Sequence, residues 1–437
     1  MRHGEMLLFL ILALPGMVTG APLSATERTL AQSVDTHREE SLALLERVVN
    51  INSGTMNMAG VRAVGDVFRA ELDGLGFRTR WVEGAAFGRA GHLVGERLTA
   101  GASPGLRVLL IGHLDTVFEK DSPFQRFERI EGGRARGPAT TDMKGGNVVM
   151  LLALRALREA GVLDRMDVRV YLGGDEEDSG APLAASRAAL MAAADGAEVA
   201  IGFEDGDGSF DHAVVARRGV EEWRLSVTGK PAHSSLILNA EIGAGAIYEV
   251  ARILDAFRRE LAPESPDVTF NPGMIVGGTS LEHPEQARGS AFGKTNVIAQ
   301  MALATGDLRT LAPDQLERTR SRMLEIVARS LPHARAELAF EPGYPPMAVT
   351  EGNRRLLSLL DEASRDLGLG AVASVNPRQA GAADISFVAT KVKMAVDGLG
   401  LKGTGGHTVE ETADLALLAP QAKRVAVLLA RLAEGRR

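Results

Sequence analysis

Residues 107–116 read RVLLIG followed by His113-Leu114-Asp115-Thr116. The short apolar run marks a strand buried on both faces, as in a parallel sheet. It ends directly in a histidine and an acid. Two further runs behave alike: residues 168–172 lead to Asp175-Glu176-Glu177-Asp178, and residues 199–203 lead to Glu204 and Asp205. Residues 147–160 carry helical apolar spacing closed by Gly161, and residues 61–75 do the same before Gly76. Leu30, Val34, Leu42, Leu45 and Val48 recur on one face of a helix expected over 25–49. Strands alternating with helices give an α/β fold, a mainly parallel sheet with helices on both faces. Ligands of such sheets bind beyond the carboxyl ends of the strands. This chain keeps acids and histidines there.

The middle of the chain changes character. Residues 222–229 alternate as a half-exposed strand, 242–259 read as helix, and 268–277 and 296–309 read as strands. A helix over 313–330 and an alternating stretch at 336–340 follow. Two helices on an antiparallel sheet make a smaller α+β domain, inserted at 216–339. It splits the α/β domain into 21–215 and 340–437, closed by helices over 353–367 and 414–433.

The 437 residues are 45% hydrophobic and 24% charged, which suits two globular domains. The net charge of -7 leaves no domain-wide basic surface, so nucleic acid is not an expected partner. The chain has no cysteine, which removes disulfides, thiolate ligands and cysteine nucleophiles together. Any metal must be held by His, Asp and Glu, a donor set that suits zinc. Residues 1–20 start with Arg2 and His3, continue with the apolar run 6–14, and end in small residues. This reads as a secretory signal cut near Gly20. The expected protein is exported, periplasmic or secreted, without stable membrane insertion.

The chemistry sits in five clusters. His113 and Asp115 are two apart, so they project to one side of an extended chain. An imidazole can bind a metal while a nearby carboxylate orients it. Asp142, in Thr141-Asp142-Met143-Lys144-Gly145-Gly146, precedes a helix, where it also reads as a cap. Four acids in succession at 175–178 repel one another without a cation. Of two adjacent carboxylates, one can bind metal while the other moves protons. Glu204 comes first after the third strand, and Gly405-Gly406-His407 lies near the C-terminus. Singly, each cluster also reads as a cap, a solvated turn or a surface loop. As a series, they make the chain resemble the M20 metallopeptidases, near the glutamate carboxypeptidase and aminoacylase branch. The matching motifs occur in family order and at similar spacing over the whole mature chain.

That resemblance implies two zinc ions. His113 and Glu204 would hold one, Glu177 and His407 the other, with Asp142 bridging. Asp115 would orient His113, Glu176 would be the general base, and the Asp142–Met143 peptide would be cis. Gly229-Lys230-Pro231-Ala232-His233-Ser234 resembles the lid-domain histidine motif. His233 would then stabilise the oxyanion, often in a partner subunit's site, which implies a homodimer through the inserted domain. Asn296 and Arg309 fall where the carboxypeptidase branch grips a free carboxylate. Gly381-Ala382-Ala383-Asp384 resembles a substrate loop, with alanines as a departure. His92 stands where relatives often carry Asn. Residues 341–346 lack an arginine of glutamate-specific relatives, so selectivity for C-terminal glutamate is not implied. The implied function is zinc-dependent cleavage of an amide beside a free carboxylate, in a small peptide or N-acyl amino acid. An N-acyl amino acid deacylase, a dipeptidase and an inactive zinc-binding protein are the alternatives.

Overall fold

In the computed structural model, which describes residues 21–99, 105–261, 266–285 and 288–435, the run at 107–112 lies within the strand Leu106–His113. The expected signal at 1–20 lies outside the described residues. Alternate side chains of this strand enter two different cores. Val108 and Leu110 join the helices Lys144–Glu159 and Leu418–Ala433 on one face. Leu109 and Ile111 pack with Leu190, Ile385 and Val388 on the other. The period of two therefore explains why the run is apolar throughout.

The six-stranded sheet runs Arg78–Glu83, Gly91–Arg97, Met166–Gly173, Leu106–His113, Val199–Gly202 and Met394–Val396. Its last four strands pair in parallel. Gly91–Arg97 is antiparallel to both neighbours, an addition that the apolar runs did not foretell. The expected helix over 25–49 is two helices, Ala25–Thr36 and Arg38–Val49. His37 forms the corner, with its Nε2 2.7 Å from Glu159.

The second sheet is antiparallel, ordered Thr269–Gly278, Met301–Thr310, Gly219–Gly229 and Ala334–Glu341. Trp223, Leu225 and Val227 alternate inward to meet Val250, Ile253 and Phe257 of helix Gly245–Glu260. Met323 and Ile326 of helix Pro313–Ala328 complete this separate core. The strand expected over 296–309 begins only at Met301, and a hairpin, Ser280–Glu285 with Arg288–Phe292, was not foreseen. The chain enters and leaves this domain side by side. Arg217 and Met347 exchange backbone hydrogen bonds of 3.0 and 2.9 Å, and Val220 N donates to Tyr344 O at 2.9 Å.

Candidate metal centre

His113 ends the central strand, and Glu177 and Glu204 follow its two neighbours, so the parallel pairing brings three distant segments to one sheet edge. Asp142 arrives from the start of helix Lys144–Glu159, and His407 from a loop where its φ is 62°. Asp142 Oδ1 lies 3.0 Å from His113 Nε2, and Oδ2 lies 2.9 Å from His407 Nε2. Glu204 is 3.6 Å from His113 Nε2, and Glu177 is 3.1 Å from His407 Nε2. Two groups of possible ligands result, His113–Asp142–Glu204 and Asp142–Glu177–His407, each with donor atoms within 4.8 Å of one another. Asp142 belongs to both.

Buried polar groups hold this arrangement. Asp115 faces His113 Nδ1 with its carbonyl at 3.1 Å and its carboxylate at 3.4 Å, leaving Nε2 for the centre. The same carboxylate accepts from Glu176 N and Glu177 N, both at 3.1 Å, and from the Thr55 hydroxyl at 2.7 Å. Glu411 accepts from Ala139 N, Thr141 N and Asp142 N at 3.0, 2.8 and 3.2 Å. The Asp142–Met143 peptide is cis, as the resemblance implied. Asp397 takes Glu204 N at 3.3 Å and is itself paired with buried Arg217 at 3.0 Å.

The four acids at 175–178 divide. Asp175 is buried and bound to Arg187, while Asp178 is exposed and pairs with Arg89. Glu176 and Glu177 remain in the centre. Burial, opposed by His113 and reinforced by Asp384, Glu177 and Asp142, pushes the Glu176 carboxyl well above its ordinary value. Burial and then Asp142 do the same to Glu204. Burial opposes charge on His113, yet Glu204, Asp115 and Asp142 outweigh it and hold the imidazole high. Donating to the Asp142 and Glu177 carboxylates raises His407 to about 11.

Carboxylates packed this closely repel, and cations between them relieve that cost. Glu177 Oε1 is buried without a hydrogen-bond donor, a free lone pair of the kind a metal uses. Imidazole nitrogen with carboxylate oxygen suits zinc and other borderline cations. The residues present therefore fit a pair of divalent metals.

The remaining expected residues lie elsewhere. His233 is exposed on the second domain, where its Nδ1 meets Ser235 Oγ at 2.9 Å. Ser234 N donates to Asn296 O at 2.9 Å, so His233 and Asn296 are neighbours. Arg309 is at the far end of strand Met301–Thr310, paired with Asp307 at 2.7 Å. Eight strand steps separate it from Met301, roughly 27 Å, so one chain does not bring Asn296 and Arg309 onto one carboxylate. Asp384 is buried against Arg187 at 2.8 Å rather than open to a substrate. His92 is buried, 2.8 Å from Ser186 O and stacked on Phe87. Arg187, Arg217, Tyr344 and Glu411 were missed, since a lone polar residue carries no spacing signal.

Residues 109–431 match the profile of Peptidase family M20/M25/M40. The chain is 26% identical over 387 residues to carboxypeptidase G2 of Pseudomonas sp. strain RS-16, covering 87% of this chain and 86% of that protein. It is 29% identical over 170 residues to a probable succinyl-diaminopimelate desuccinylase of Staphylococcus epidermidis, covering 37% of this chain and 40% of that one. Aminopeptidase PepT of Bacillus cereus shares the fold with TM-score 0.69 at 18% identity, over 91% of this chain and 99% of that one. A dinuclear metal binding M20 peptidase of Bacillus subtilis superposes with TM-score 0.63 at 16% identity, over 92% and 99%. The family match spans most of the chain and takes in all five converging residues, so this protein belongs to the M20/M25/M40 peptidases and is a metallopeptidase.

Proposed function

We propose that this protein is an exported two-zinc hydrolase that cleaves an amide bond beside a free carboxylate, in small peptides or N-acyl amino acids. The observation that carries the reading is the shared Asp142, whose two oxygens face two separate imidazoles while Glu176 stays outside both ligand groups. His113 and Glu204 would hold one zinc, Glu177 and His407 the other, and Asp142 both. A bound zinc pair lowers the pKa of a water and polarises the scissile carbonyl. Glu176 takes the proton of the attacking water as the new C–O bond forms. It returns that proton to the amine nitrogen as the C–N bond breaks. Asp115 keeps His113 and the Glu176–Glu177 backbone in register.

Arg309 is the candidate anchor for the substrate's free carboxylate, through paired hydrogen bonds. His233 and Asn296, side by side on the second domain, serve the site of a second copy, His233 at the developing oxyanion. A homodimer through this domain is supported by its edge strand Thr269–Gly278 and by exposed Ile247, Tyr248, Ile275 and Phe292. Export rests on the basic start and apolar run of residues 2–14.

The first test is amino-acid release from N-acyl amino acids, dipeptides and pteroyl-glutamate-like amides, with zinc and with chelator. Chelator-sensitive release is expected, and the best substrate chooses between carboxypeptidase, dipeptidase and deacylase. Glu176→Gln should lower kcat by about 10²–10⁴ with zinc still bound. Full activity in that variant sinks the reading. Sedimentation of wild type and of a Tyr248→Glu, Ile275→Glu double variant reads the dimer, and a monomeric wild type refutes it. Export is checked by the N-terminal sequence of protein recovered outside the cytoplasm, expected to begin near Ala21.

A further inference from the structure

Glu176 must present its carboxylate differently from Glu177, although the two are chain neighbours. The Glu176 amide is held by Asp115 at 3.1 Å. Its carbonyl is held by a different segment, because the Tyr344 hydroxyl donates to Glu176 O at 2.8 Å. Tyr344 lies more than a hundred residues onward in sequence, where the chain returns from the second domain beside Val220.

The hydroxyl is itself fixed. Arg187 Nη2 donates to it at 2.6 Å and to Ser179 Oγ at 2.8 Å. The guanidinium is 2% exposed and pairs with Asp175 and Asp384, each at 2.8 Å. It also lies over the rings of Tyr344 and Phe387, 5.4 and 5.5 Å from their centroids. A buried cation held by two carboxylates has little freedom to move. Burial, reinforced by Glu176 and Asp384, keeps the Tyr344 phenol well above its ordinary value, so it remains a donor. The carbonyl bond is thus the end of a buried chain of contacts, in which Asp384 faces Arg187, Arg187 donates to Tyr344, and Tyr344 donates to Glu176.

We infer that Tyr344, fixed by Arg187, is a positioning residue for Glu176: it anchors the Glu176 carbonyl so that the neighbouring carboxylates face different tasks. The inference rests on the reading of Glu176 as the proton carrier. Neither Tyr344 nor Arg187 touches the metal-binding atoms. Loss of the hydroxyl therefore acts on the chemical step and leaves metal and substrate affinity in place. A displacement of about 1 Å in a catalytic group is enough to cost on the order of 10²-fold in rate.

The test compares Tyr344→Phe, Phe387→Leu and Glu176→Gln in the zinc-loaded enzyme, on the best substrate of the panel. Tyr344→Phe keeps the ring and removes one hydroxyl. Its kcat should fall about 10–100-fold, with KM within about threefold of wild type and with unchanged zinc affinity and melting temperature. Phe387→Leu disturbs the same packing without touching the hydrogen-bond chain, and its kcat should stay within about threefold. An unchanged kcat in Tyr344→Phe overturns the inference. So does an equal loss in Phe387→Leu, or a loss that follows zinc release or lowered melting temperature. Near wild-type turnover by Glu176→Gln instead overturns the underlying reading. An inactive Glu176→Gln beside a fully active Tyr344→Phe removes the positioning role alone.

Discussion

Asp115 is fully buried, and its carboxylate faces an imidazole, two backbone amides and a hydroxyl at once. An amide in its place offers one acceptor oxygen instead of two, so a donor would be left facing an NH₂ group. Asp115→Asn should weaken binding of the divalent metals about 10–100-fold. A competition titration with a chromophoric chelator reads this directly, and unchanged affinity would show that His113 is oriented by other contacts. Residues of this kind divide by how they announce themselves. His113, Asp142, Glu177, Glu204 and His407 were legible because each lies at a strand end, helix start or glycine-rich loop within a recurring series. Arg187 and Tyr344 were not, because their partnership spans 157 positions and rests on burial, which leaves no pattern in the chain.

Helix Lys144–Glu159 enters the fold through two glycines because backbone approaches it from both sides. A Cβ on Gly146 would lie 2.0 Å from Phe203 O, and one on Gly145 would lie 2.1 Å from Thr140 O. Phe203 directly precedes Glu204, so pressure there displaces a candidate ligand as well as a strand. Gly146→Ala should cost about 2–3 kcal/mol in urea unfolding and lower metal occupancy. Normal occupancy at normal stability would mean that the helix can retreat without disturbing the centre. Elements were legible where their periodicity was pure. The strand at 107–112 was plain, since both of its faces are buried. Arg78–Glu83 has no apolar run to mark it, because it is the edge strand of the sheet, where only half-buried Trp81 and Val82 pack against the two cores. The break at His37 was hidden because both helices flanking it keep the same apolar spacing.

Helices Ala25–Thr36 and Leu418–Ala433 are joined by one buried group of charges. Arg431 pairs with Glu27 at 2.6 Å and with Asp366 at 2.7 Å, and Glu27 also receives the Ser24 amide at 2.7 Å. Burial opposes charge on Glu27, but Arg431 and Ser24 outweigh it and lower the carboxyl below its ordinary 4.5. A depressed folded-state pKa adds stability that is fully present above the unfolded value and lost as pH falls through the folded one. Glu27→Ala should therefore cost about 3 kcal/mol at neutral pH. The deficit should shrink as unfolding is measured at successively lower pH beneath 4.5. A deficit independent of pH would assign the effect to lost side-chain packing instead, since both the Arg431 pair and the Ser24 cap need the charged carboxylate. The two-domain plan was legible from the change in periodicity at the middle of the chain, whereas the meeting of Arg217 with Met347 was not, since it joins the two ends of that stretch. Those adjoining segments act as one stem. A module carried on such a stem can be enlarged, exchanged or excised within the gene without rethreading the parallel sheet. The hydrolytic centre and the outer surface of the second domain are then free to diversify at separate rates.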